Sequence, residues 1–259
     1  MFQYDNYTLD DLIKKSVDFD GLSISFEDNN DTGIVNYKRQ CGNNTKSFKI
    51  SVSNSLLRNS LLFIHPVEPL YLPDPITEFL EIKFDDIMIK PTGSITVYLT
   101  FPIEIGLFIK QRSGSKGLAK PIDIFSFISP KYSLYGESNR GIITRWHKSQ
   151  IYAEPPTVKN NEYGILEVEI ENTTDTWRQI SRLVINKSNM HIHYNDSVVS
   201  MKCKVNIINK TTAGVIGINE PLFSEMYNHL PVMIKPIYDY CNVPEALDNG
   251  KLTMDMGLN

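Results

Sequence analysis

An internal echo constrains this chain more than any other feature: Pro102-Ile103-Glu104-Ile105-Gly106-Leu107-Phe108-Ile109 recurs as Pro121-Ile122-Asp123-Ile124-Phe125-Ser126-Phe127-Ile128. Side chains alternate between the two faces of an extended strand. The echo therefore predicts two matched strands, the first with Ile103, Ile105 and Leu107 on one face and Glu104, Gly106 and Phe108 on the other. The polar stretch from Lys110 to Lys120, which contains Gly114 and Gly117, reads as the mobile connection of a long hairpin. Two carboxylates, Glu104 and Asp123, are thereby set in an otherwise apolar ribbon.

Most of the remaining chain also has strand character. Apolar and polar residues alternate in Leu22–Phe26, Phe48–Val52 and Ile165–Ile170, the pattern of sheets with one buried face. Further strands are expected at Leu61–His65, Phe79–Phe84, Ile87–Ile89, Ile95–Thr100, Ile142–Tyr152, Trp177–Ile185, His191–Tyr194 and Ser200–Ile208. Turn residues separate them at short intervals, as at Pro91-Thr92-Gly93 and Asn195-Asp196. Helical spacing is confined to Leu9–Ser16 and a short start at Pro244–Leu247. The expectation is an all-β, mainly antiparallel protein of β-sandwich type, with two packed sandwich-like subdomains and minor helix. The proline-rich segment from His65 to Pro75 reads as a crossing between sheets, because its prolines cannot donate to a ladder. Glu154-Pro155-Pro156 marks the boundary, giving subdomains at 1–153 and 154–241 and a poorly structured tail at 242–259. Trp177 is expected as a core plug between sheets.

Composition narrows the function classes. A net charge of −4 supplies no general basic field for nucleic acid or an anionic membrane. Cys41, Cys203 and Cys241 lack CxxC spacing and cannot all pair within one chain, which favours a reducing compartment. The N-terminus, Met1-Phe2-Gln3-Tyr4-Asp5, has no signal-like basic and apolar regions, and the longest apolar stretch, Ile95–Ile109, falls short of a membrane span. A cytoplasmic protein without direct membrane insertion is expected.

Chemistry is sparser than architecture. Glu104 and Asp123 are candidate catalytic residues, since two carboxylates in an apolar setting can separate into an acid and a base, as glycoside hydrolysis requires. The alternatives are a wet hairpin face or ion pairs to Arg140, Arg145 or Lys148. Arg140, Arg145, Trp146, His147 and Lys148 concentrate positive charge and aromatic surface, as a ligand- or partner-binding segment does. His191 and His193 flank Ile192 on an expected strand, and with Cys203 they could supply metal ligands, although no recognised spacing completes the set. Ser113-Gly114-Ser115-Lys116-Gly117 lacks the full phosphate-loop spacing and reads as a turn. No cofactor is indicated.

Taken together, His65-Pro66-Val67-Glu68-Pro69, Leu99-Thr100-Phe101-Pro102-Ile103-Glu104-Ile105-Gly106, Lys131-Tyr132-Ser133-Leu134-Tyr135-Gly136 and Trp146-His147-Lys148-Ser149 resemble an archaeal family catalogued as domain of unknown function four-three-two. The resemblance spans most of the chain and implies no catalytic role for any residue. It also implies an association, in some members, with small-conductance mechanosensitive channels. The resulting expectation is a binding or regulatory module with a protein partner such as a channel. A carboxylate-pair hydrolase acting on a small polar substrate and a metal-binding module stand as alternatives.

Overall fold

The computed structural model describes residues 4–8, 16–19, 21–29, 34–51, 60–111, 120–228 and 253–254. In chain order the strands are β1 (Asn6–Thr8), β2 (Val17–Phe19), β3 (Leu22–Asn29), β4 (Ile34–Cys41), β5 (Asn44–Ser51) and β6 (Ser60–Val67). They continue as β7 (Phe79–Ile89), β8 (Ser94–Pro102), β9 (Glu104–Gln111), β10 (Lys120–Phe125), β11 (Tyr132–Tyr135), β12 (Ile142–Lys148) and β13 (Tyr163–Asn172). The last are β14 (Arg178–Asn186), β15 (His193–Tyr194), β16 (Val199–Ile207), β17 (Ala213–Ile218), β18 (Tyr227–Asn228) and β19 (Thr253–Met254). Among the described residues the helical content is one 3-10 turn, Lys187–Asn189. The expected helices at Leu9–Ser16 and Pro244–Leu247 fall almost wholly outside those residues, as do Ser113–Gly117 and Cys241.

The protein is all-β and mainly antiparallel. Among the described residues four sheets form, in the orders β1-β6-β9-β10, β2-β3-β4-β5, β11-β12-β7-β14 and β18-β15-β16-β13-β8, with β17 and β19 extending the last beside β16. Two pairings are parallel, β7 with β12 and β13 with β16. The proline-rich crossing carries the chain from β6 in the first sheet to β7 in the third. Hydrogen bonding passes across residue 154, the boundary read from the sequence: β8 pairs with β13 and β7 with β14.

Apolar faces from all four sheets meet in one cluster that includes Ile24, Tyr37, Leu62, Leu107, Leu80, Leu183, Leu99, Val168 and Val205. Each side chain of this size taken out of water contributes about 1.5–3 kcal/mol. Alternation explains the sheet faces. On β13 and β16, Leu166, Val168, Ile170, Cys203 and Val205 face inward, while Glu167 and Glu169 pair outward with Lys202 and Lys204.

Trp177 is not a core plug: it is 60% exposed, just ahead of β14. The corner is held by Asn172 instead, whose fully buried amide donates to the carbonyls of Ile89, Lys90 and Thr176. With these backbone groups already satisfied by a compact side chain, the indole is left outside. Among the described residues no helix is long and apolar enough to cross a membrane.

Candidate functional site

The echoed segments pair as antiparallel β9 and β10, but with a slip. Lys120 stands opposite Ile109 and Pro121 opposite Phe108, a register that would bring Asp123 opposite Gly106, on the face of Glu104. A bulge at Ile122 sets Asp123 opposite Leu107 instead. One residue of slip moves a side chain to the other face, so the carboxylates point to opposite sides of the ribbon, three positions or about 10 Å apart along it.

Asp123 enters the interface with the β2–β5 sheet. Its Oδ2 accepts from Arg39 Nε at 2.7 Å and from Tyr37 Oη at 2.8 Å, and its Oδ1 lies 2.6 Å from Lys46 Nζ. Burial, and then the negative Asp123, push the Tyr37 phenol well above its ordinary range. The Arg39 guanidinium also lies over Phe125, 5.1 Å from the ring centroid.

Glu104 faces the other way and is equally buried. Its Oε2 accepts the Tyr71 backbone N–H at 2.8 Å, and its Oε1 is 3.9 Å from Arg145 Nη2. Burial raises the Glu104 pKa to about 8, against the opposing pull of Arg145 and the Tyr71 and Leu72 amides. Arg145 is 1% exposed and lies over the Tyr132 ring; burial lowers its pKa. The Glu104 Oε1 and the Arg145 Nε and Nη1 atoms are buried without a hydrogen-bond partner. Neither expected acid lies on a wet face, and of the three cations named for them, Arg145 is the one that pairs, with Glu104.

The positive segment consequently divides. Arg145 is an interior strut rather than a surface grip, because its position on β12 alternates inward and meets Glu104. His147 is half-buried beside Thr100, with Nε2 3.0 Å from the hydroxyl. Burial, followed by the charges of Arg145 and Lys131, lowers its pKa to about 4. Trp146 is half-buried with Lys131 over its ring, while Lys148 and Arg140 are exposed. The segment is therefore not one continuous binding surface.

The proposed metal ligands also diverge. His193 pairs with Ser200, placing it on the outward parity of β16, whereas Cys203 points into the core. His191 lies before β15 and is half-buried. Among the described residues no cluster of three His, Cys, Asp or Glu side chains fits a metal ion.

A further feature, not read from the sequence, is a cleft at the β4–β5 turn. An open cleft of about 760 Å³ lies between the β4–β5 turn and the segment after β10, lined by Arg39, Asn43, Thr45, Phe125, Phe127 and Ser129 among others. Gly42, at φ 56°, is the first of the two turn residues, where a tight hairpin requires a positive φ. A signal for this site existed in the sequence. Val35, Tyr37, Arg39 and Cys41 share strand parity, so an arginine sits on an otherwise apolar face.

No curated protein and no solved structure matches the chain. The model of the family described as Protein of unknown function (DUF432) does match, over residues 3–234, and the chain belongs to that family.

Proposed function

We propose that the protein is a non-catalytic binding module whose ligand occupies the cleft beside the β4–β5 turn. The separation of Glu104 from Asp123 carries this reading. Hydrolysis of a glycoside needs two carboxylates roughly 5–9 Å apart and facing one bond. Here each acid faces a different side of the ribbon and is held by its own cation. The divergence of His193 and Cys203 weighs likewise against the metal-binding alternative. The cleft supplies what a binding module needs, a concave surface with apolar walls and a few polar groups. An archaeal source and a channel partner belong to the same proposal on the strength of the family resemblance, and a cytoplasmic location on that of three cysteines that lack CxxC spacing and cannot all pair within one chain.

The test is a ligand-observed NMR screen of the full chain against polar metabolites, run beside turnover assays on glycosides and phosphoesters. Saturable binding without turnover, abolished by filling the cleft with Ser129→Trp, is the expected result. Turnover lost in Glu104→Gln or Asp123→Asn would overturn it. A channel partner would co-purify with the protein from its native cell.

A further inference from the structure

We infer that the cleft selects an organic anion, a molecule with an apolar body and a carboxylate or phosphate end, and that Arg39 receives the anionic group. This deepens the reading of the cleft as a ligand site and rests on it. Among the described residues, Arg39 is the charged one lining the cleft, and no carboxylate lines it. Asp123, which alone would cancel that charge, is withdrawn behind it: its side chain is fully buried and also bound by Lys46, so the three groups sum to one positive charge. An anion entering the cleft meets a cation with no exposed acid among the described residues that line it.

The guanidinium is oriented for this role. Arg39 is 5% exposed, is anchored at Nε by Asp123, and lies beside the Tyr37 hydroxyl that donates to the same carboxylate. Unlike Nε and Nη1 of Arg145, neither Nη of Arg39 is sealed from solvent without a partner, and Arg39 is part of the cleft wall. A planar fork held by a buried carboxylate and an aromatic ring is already ordered, and it matches carboxylate and phosphate oxygens two at a time. Phe125, Phe127 and Ile128 line the cleft and offer apolar contact to the body of the same ligand. A free inorganic ion would leave those walls unused, which is why an organic anion is favoured.

Fluorine NMR on the full chain tests the inference with fluorophenylbutyrate, its primary amide, fluorophenyl phosphate and inorganic phosphate as a competitor, each to about 5 mM to cover weak, fragment-like affinity. At least one organic anion is expected to bind more than about tenfold tighter than the amide, with inorganic phosphate a poor competitor. Arg39→Lys, which retains the charge but not the fork, should remove that preference. Ser129→Trp leaves the Arg39–Asp123 pair intact and should block binding, which keeps the test decisive if Arg39→Lys does not fold. The carboxylate and phosphate arms identify which end group the cleft prefers. Equal binding of acid and amide, blocked by Ser129→Trp, would overturn the anion assignment and leave the cleft as a ligand site. Anion binding that survives Ser129→Trp would place the ligand elsewhere, and no binding of any probe would overturn the anion assignment while the metabolite screen still judges the module.

Discussion

Asp123 stands across the ribbon from Leu107, and this single pairing decides how the echoed strands work. Leu107 belongs to the face that packs into the main core, so Asp123 is carried into that core with it. There it can persist only if its charge is met, and Arg39, Tyr37 and Lys46 meet it. Glu104 remains on the opposite face, and Arg145 is its counterpart. The repeat thus makes two independent buried acid–arginine contacts, each tying the ribbon to a different neighbouring sheet.

Asp123→Asn should cost about 3 kcal/mol or more, because it leaves the buried Arg39 without its counter-charge. Lys46→Ala should cost at most about 1 kcal/mol, since Lys46 is 48% exposed and the lost attraction is screened by water. Urea unfolding of both variants checks the contrast. Equal losses would show that Arg39 does not depend on Asp123.

Glu104 makes stability depend on pH in the direction opposite to an ordinary paired carboxylate. Its pKa is raised to about 8 in the folded state, so folding holds the proton more tightly than the unfolded chain does. The stability this contributes is complete below the unfolded value near 4.5 and is lost as pH rises through about 8. Glu104→Gln cannot lose a proton and should lack this decline. Melting temperatures at pH 5, 7 and 9 should therefore bring the wild type down toward, or below, the variant as pH rises. A constant difference across that range would show an acid ionised at its ordinary pKa.

Alternation made the buried faces legible wherever one face was polar, as on Leu22–Phe26 and Ile165–Ile170, both of which are strands. β4 was not among the expected strands, because Arg39 interrupts the apolar face on which Val35, Tyr37 and Cys41 alternate with Asn36, Lys38 and Gln40. The echo announced β9 and β10 correctly, but a bulge leaves no mark in composition, so the face of Asp123 could not be read. Nor could the burial of Arg145. Its counter-charge comes from a strand some forty residues earlier, and long-range pairing is not written in local pattern.

Asn172 should prove one of the least replaceable polar residues. Its amide donates to three carbonyls, and its Oδ1 accepts from the Thr174 backbone and hydroxyl. Asn172→Ala would strand several of these groups, at about 1–3 kcal/mol for each that finds no water. Asn172→Asp should be no milder, since an ionised carboxylate accepts but cannot donate. Chemical denaturation measures both; an aspartate variant as stable as wild type would mean that water readily replaces the amide at this corner.

Two glycines on β17 provide a control within one strand. A Cβ on Gly217 would sit 2.1 Å from the Asn189 carbonyl oxygen, which belongs to backbone at the end of the 3-10 turn and cannot rotate away. A Cβ on Gly214 would meet nothing within 4 Å. Gly217→Ala must therefore displace the Lys187–Asn189 turn from β17, and a loss of about 2 kcal/mol or more is expected from overpacking of this kind. Gly214→Ala should be neutral, or stabilising by about 0.4–1 kcal/mol, because alanine restricts the unfolded chain. Thermal unfolding of the two variants side by side checks the difference, and a Gly217→Ala protein as stable as Gly214→Ala would show that the turn docks on β17 loosely enough to yield.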